Sequence, residues 1–183
     1  MRTTATATIA PLLLVVTVAG IVAAPATAQP VSKPSEIPQS LRVEHNDTLE
    51  QLSVLSRRHG PVGVEAGKAM VLFKKHLQRE EEYILPPLTL LPLLADGKIS
   101  PDMKWAITMA DRVKAEREQI FQEHTQITDA MNALATAAQK AHDTAAFDFA
   151  RGAAADSLND IELMEPMTIV IGDYLKAKLP AGQ

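Results

Sequence analysis

A four-part pattern occurs twice along this chain and leaves little freedom in what it can fold into. The first copy reads Glu44-His45, then His76-x-x-x-Glu80 beginning thirty-one residues after His45, then Pro86. The second reads Glu123-His124, then Asp156-x-x-x-Asp160 beginning thirty-two residues after His124, then Pro166. In both copies the proline follows the first member of the spaced pair by ten residues. Members of an i, i+4 pair lie on one face of a helix, a turn apart. Four helices that each turn one or two such side chains inward would enclose a cation in the core of a bundle.

The remaining punctuation agrees with four helical rods. Residues 40–58 read as one helix, ended by His59-Gly60-Pro61, and 62–85 as a second, stopped by Pro86-Pro87. An apolar connector, 88–99, is expected to pack across one end. Ser100-Pro101 starts a third helix that reaches Lys140, and Asp143-Thr144 starts a fourth that reaches Leu179-Pro180. Alternating strand patterns are absent, so the expected class is all-α, an up-down antiparallel four-helix bundle over residues 39–180.

On each rod the polar candidates fall in phase with the apolar stripe. The stripes read Leu41, His45, Leu52 and Leu55 on the first helix, and Ala69, Phe73, His76, Glu80 and Tyr83 on the second. They continue as Ile120, His124, Ile127, Met131 and Leu134 on the third. On the fourth, Phe149, Ala153, Asp156, Asp160, Leu163, Met167, Val170 and Tyr174 keep steps of four and three. Glu44 and Glu123 step off the seam and are either acceptors for ligand imidazoles or exposed. His59, His142, Glu81 and Glu82 read as surface residues. Pro166 is expected to free the carbonyl of Glu162 and bend the fourth helix.

Burying unpaired carboxylates costs several kcal/mol or forces them to protonate. A shared pair of cations removes that cost by making ligands and bridges of them. His45, His76, Glu80, His124, Asp156 and Asp160 are therefore the candidate metal ligands. Three imidazoles and three carboxylates suit iron or manganese better than four-coordinate zinc. With no cysteine in the chain, iron–sulfur clusters and thiolate zinc sites are excluded.

Residues 1–28 read as a signal peptide: Arg2, an apolar run from Ile9 to Ala24, and Ala26-Thr27-Ala28 before cleavage at Gln29. An uncleaved anchor is the alternative, but the run is shorter than the ~20 residues that span a bilayer. Residues 29–38 read as a flexible leader. Cleavage places the protein in the periplasm or outside the cell, with no membrane attachment. Without Arg2, 17 basic residues face 22 acidic ones, a net charge of −5. No basic stripe with interleaved aromatics is present, which argues against nucleic-acid binding.

Over about residues 37–178 the chain resembles the hemerythrin-like (HHE cation-binding) family, through IPQSLRVEH, HLQREEEYILPPL, QEHTQI and EPMTIVIGDYL. His45, His76, Glu80 and His124 match the family's pattern, whereas Asp156 stands where it has His and Asp160 where it has Glu. The resemblance implies a left-handed four-helix bundle with a non-haem di-iron centre that binds or reacts with dioxygen or related small molecules. Replacing imidazole by carboxylate favours ferric over ferrous iron. The expected behaviour therefore moves towards oxidase, peroxide-reducing or ferric-storing chemistry and away from reversible oxygen carriage. A competing expectation is a helical module that has lost the centre at its fourth helix, keeps one weak ion or none, and serves a structural or interaction role. A hydrolase ranks last, since neither a Ser/His/Asp set nor a phosphate-cradling glycine loop is present.

Overall fold

Proline, glycine and short polar side chains set the breaks between elements in the computed structural model, which describes residues 33–180. Every regular element among them is helical: α1 Gln39–Ser56, α2 Pro61–Arg79, α3 Leu91–Ala95, α4 Trp105–Lys140, α5 Thr144–Asn159 and α6 Glu165–Lys178. The all-α expectation is met. The signal peptide expected at 1–28 and the start of the leader lie outside the described residues.

Gly60 takes φ of 86°, which costs glycine nothing, and Pro61 occupies the first turn of α2. Ser100 accepts from the Asp102 N–H at 3.3 Å and opens a 3₁₀ turn, Pro101–Met103, ahead of α4. Asp143 caps α5 by accepting from the Ala146 N–H at 3.1 Å.

Two of the breaks are not ordinary helix ends. After α2 the chain enters a π-helical turn, Glu80–Ile84, and after α5 it enters another, Asp160–Met164. In each, the residue just before the proline donates its N–H five residues back, Leu85 to Glu80 and Glu165 to Asp160. A proline ring collides with the carbonyl four residues before it, and the extra residue of a π turn draws that carbonyl aside. A stop was expected at Pro86 and a simple bend at Pro166. The structure uses one device at both, so the sequence repeat is also a backbone repeat. After the first the chain passes into a 3₁₀ turn, Pro86–Leu90, and α3; after the second it resumes as α6.

α1 packs on α2, α2 on α4, and α4 on both α5 and α6. α6 lies so near α4 at Gly172 that a Cβ there would stand 2.1 Å from that of Ala110. Buried apolar side chains form two clusters. One gathers Leu52, Leu55, Val62, Ala66, Ala69, Ile127, Met131, Leu134, Ala146, Ala150 and Ala154. The other gathers Ile37, Tyr83, Ile84, Leu85, Leu88, Leu90, Leu93, Met103, Val113, Ile120, Ile171 and Leu175, and so includes the expected connector. The chain crosses between the clusters four times, reversing at each turn. The buried polar residues His45, His76, Glu80, His124, Ser157 and Glu165 fall at the crossings.

The first three predicted stripes are the buried ones, with Leu41 and Phe73 only half-buried. The fourth is not. Leu163, Val170 and Tyr174 are 54%, 64% and 39% exposed, and Asp156 is exposed. The buried line instead runs through Ala146, Ala150, Ala154 and Ser157, then Glu165, Thr168, Ile171 and Leu175. Small residues let α5 lie close against α4, so the alanine face wins over the bulkier Phe149 and Leu158. Beyond Ser157 the seam needs eight residues, not seven, to complete two turns, because the π turn adds one.

Candidate metal centre

His45 comes from the middle of α1, His76 from the last turn of α2, Glu80 from the head of the first π turn, and His124 from the middle of α4. All four are buried, at 7%, 2%, 2% and 1% exposure. Glu80 is the hub. Its Oε1 lies 3.1 Å from His76 Nε2 and 3.9 Å from His124 Nε2, and its Oε2 lies 3.5 Å from His45 Nε2. The rings of His76 and His124 meet edge to face at 4.1 Å between centroids. Burial pushes the Glu80 carboxyl up, but His76, with His45 and His124 behind it, brings it below the usual carboxylate range. Burial opposes charge on His76 too, yet Glu80 and Glu123 outweigh it and raise its affinity for a proton.

The far nitrogens of two rings are engaged outside the centre. His76 Nδ1 lies 3.3 Å from Glu123 Oε2, and Arg79 holds that carboxylate through Nη2 and Nε, both at 3.1 Å. Arg79 in turn bridges to Glu116 and Tyr83. His124 Nδ1 lies 3.1 Å from Ser157 Oγ, whose hydroxyl has the His124 carbonyl as acceptor at 3.5 Å. Both arrangements suit a ring proton on Nδ1, the tautomer that turns the Nε2 lone pair inward as a metal ligand needs. Of the two candidate acceptors, Glu123 therefore serves an imidazole, though that of His76 across the helix interface and not its own neighbour. Glu44 lines the cavity instead. Partial burial and then Asp156 push its carboxyl up.

The inward atoms are left without partners. His76 Nε2, His124 Nε2 and Glu165 Oε1 are buried and accept or donate no hydrogen bond. His76 Nε2 is within reach of Glu80 but off the direction in which an N–H would point. Orphaned buried polar atoms are rare in folded proteins. His76, Glu80 and His124 form a buried group whose ligand atoms all lie within 4.8 Å of one another, and this group could hold a metal ion. Donors around one ion at ~2.1 Å stand roughly 3 to 3.4 Å apart when adjacent, which the 3.1 Å between His76 and Glu80 fits.

Asp156 and Asp160 reach the same place from the other side. With His45, His76, His124 and Glu44 they line a cavity of about 20 Å³, enough for about one water-sized occupant. Asp156 is exposed at its edge and Asp160 half-buried. Burial, with Glu80 and Glu44 adding to it, pushes the Asp160 carboxyl up to about 8. A carboxyl so placed carries its proton at neutral pH unless a cation replaces it.

Of the six sequence-predicted candidates, the structure gathers His76, Glu80 and His124 into one buried group, sets His45 beside Glu80, and leaves Asp156 exposed and Asp160 half-buried on the wall of the adjoining cavity. Sequence reasoning missed Glu165, Ser157 and Arg79. The π turn was the signal for Glu165, but only Pro166 advertised it. No family model, no curated protein and no solved structure matches the chain.

Proposed function

We propose that this chain is an exported, hemerythrin-like metal-binding protein. It is an up-down antiparallel four-helix bundle whose core holds a pair of iron ions and reacts with dioxygen or peroxide. The carrying observation is the layer of buried, unpartnered donors around Glu80, between two apolar clusters. Without a cation that layer costs free energy on every rod. The fourfold crossing between clusters supports the up-down path. Export rests on the sequence of residues 1–28; no helix among the described residues is long and apolar enough to cross a membrane.

His45, His76, Glu80, His124, Asp156 and Asp160 would hold the ions, with Glu80 the carboxylate that three imidazoles face. Bound iron would supply the electrons and open positions for a small oxidant. The protein's part is to hold Nε2 lone pairs inward through Glu123 and Ser157, and to exclude molecules larger than a few atoms through the small cavity. The carboxylates on α5 and the following π turn favour the ferric state, so irreversible oxidation or peroxide reduction is preferred over oxygen carriage.

Elemental analysis with an absorption spectrum tests the reading. Two irons per chain and ligand-to-metal charge-transfer bands are expected, and metal-free protein that takes up no iron would sink it. After reduction, an oxygen-induced spectral change that reverses on degassing would overturn the oxidase preference. The exposure of Asp156 favours a second reading, a helical module with one ion or none and a structural or interaction role. One tightly held ion per chain would select it.

A further inference from the structure

We infer that Glu165 is a metal ligand supplied by α6, closing a buried site of two imidazoles and two carboxylates with His76, Glu80 and His124. The inference rests on the metal-binding reading above and concerns one of its ions.

The internal repeat supplies the first argument. Glu165 and Leu85 hold equivalent positions, each just before the proline and each closing its π turn onto the carbonyl five residues back. Both side chains are buried, Leu85 at 1% and Glu165 at 3% exposure. The same backbone hydrogen bond and similar burial carry opposite chemistry: an apolar side chain fills the first position, a carboxylate the second. Packing alone asks for the leucine.

The surroundings of that carboxylate also call for a cation. Oε1 of Glu165 lies 3.3 Å from His124 Nε2 and makes no hydrogen bond. Among the described residues no Lys or Arg pairs with it. With the ring proton on Nδ1, towards Ser157, a lone pair on His124 Nε2 faces the Glu165 oxygen. Two acceptors at that distance repel unless a cation stands between them. The 3.3 Å separation is also that of adjacent donors on one ion. His76, Glu80 and His124 already have donors within 4.8 Å of one another, and Glu165 joins them by turning its carboxylate inward from His124.

Charge supplies the third. Two carboxylates and two neutral imidazoles around one divalent ion sum to zero, the condition under which a buried ionic site is tolerated. The mixed nitrogen and oxygen set suits a divalent first-row transition metal. Asp156 is exposed where the repeat has the buried His76, and Glu165, nine residues further along the chain, brings a carboxylate to the buried donors instead.

The experiment compares wild type, Glu165→Gln and Glu165→Leu by competition titration with Mn²⁺ and Co²⁺, and by the melting temperature of each chain with and without metal. Both variants should bind at least about tenfold more weakly, with an altered Co²⁺ visible spectrum. Metal-free Glu165→Leu should melt at or above the wild-type temperature, since leucine already suits the equivalent position. Wild-type affinity in both variants would overturn the inference and leave the metal-binding reading standing. So would unchanged affinity with lower melting of the metal-free variants, which would make Glu165 the counter-ion of a protonated His124. A wild-type chain that binds neither ion would overturn both.

Discussion

Glu123 Oε2 on α4 stands 3.3 Å from Nδ1 of His76 on α2, and the guanidinium of Arg79 holds that carboxylate in place. The contact crosses between helices and orients the ring that Glu80 meets from the other side. Glu123→Ala should leave the fold intact and weaken metal binding about 10- to 100-fold. A competition titration reads this directly, and an unchanged affinity would remove Glu123 from the account.

Metal removal should destabilise the whole chain. An ion present at a hundred times its dissociation constant adds about 2.7 kcal/mol, equivalent to a shift of roughly 5 to 10 °C for a domain of this size. Chelator-treated protein is expected to melt lower by that amount and to recover when iron is restored. Identical melting curves would mean the buried layer is stable without a cation.

Thr168 ties α6 to the first π turn. Its hydroxyl donates to the Ile84 carbonyl at 2.5 Å. That carbonyl needs it, because Pro86 and Pro87 have no N–H and Leu88 donates to Leu85 instead. Thr168→Val keeps the shape and strands the carbonyl, a cost of about 1 to 3 kcal/mol. Urea unfolding should show it.

Gly172 sets how near α6 comes to α4. With Ala110 Cβ 2.1 Å from the position a new Cβ would take, Gly172→Ala must push the helices apart. The expected loss is about 1 to 3 kcal/mol. Equal stability of the variant would show that the interface yields more easily than its packing suggests.

Glu116 gives the fold an acid limb. Arg112 and Tyr83 bond to its carboxylate at 2.9 and 2.7 Å and hold it below the usual range. A folded-state value below the unfolded one contributes stability above the unfolded value, about 4.3, that is lost as pH falls through the folded one. The stability difference between wild type and Glu116→Gln should be full at pH 7 and vanish on acidification well below pH 4. A pH-independent difference would assign the loss to packing.

Within single helices, order along the chain was enough. His45, His76, Glu80 and His124 lie on buried faces because steps of three and four repeat every two turns, and that arithmetic is local. The same arithmetic failed on the fourth rod. There the inward face was chosen by the fit of Ala146, Ala150 and Ala154 against α4, and one added residue in the π turn rotated everything beyond it by about 100°. That rotation exposes Val170 and Tyr174 and turns Glu165 inward. Which imidazole Glu123 serves depended likewise on how α2 lies along α4. A residue's height on its own helix is written in the sequence; the direction it faces is a sum of rotations and contacts that exists only once the helices have packed.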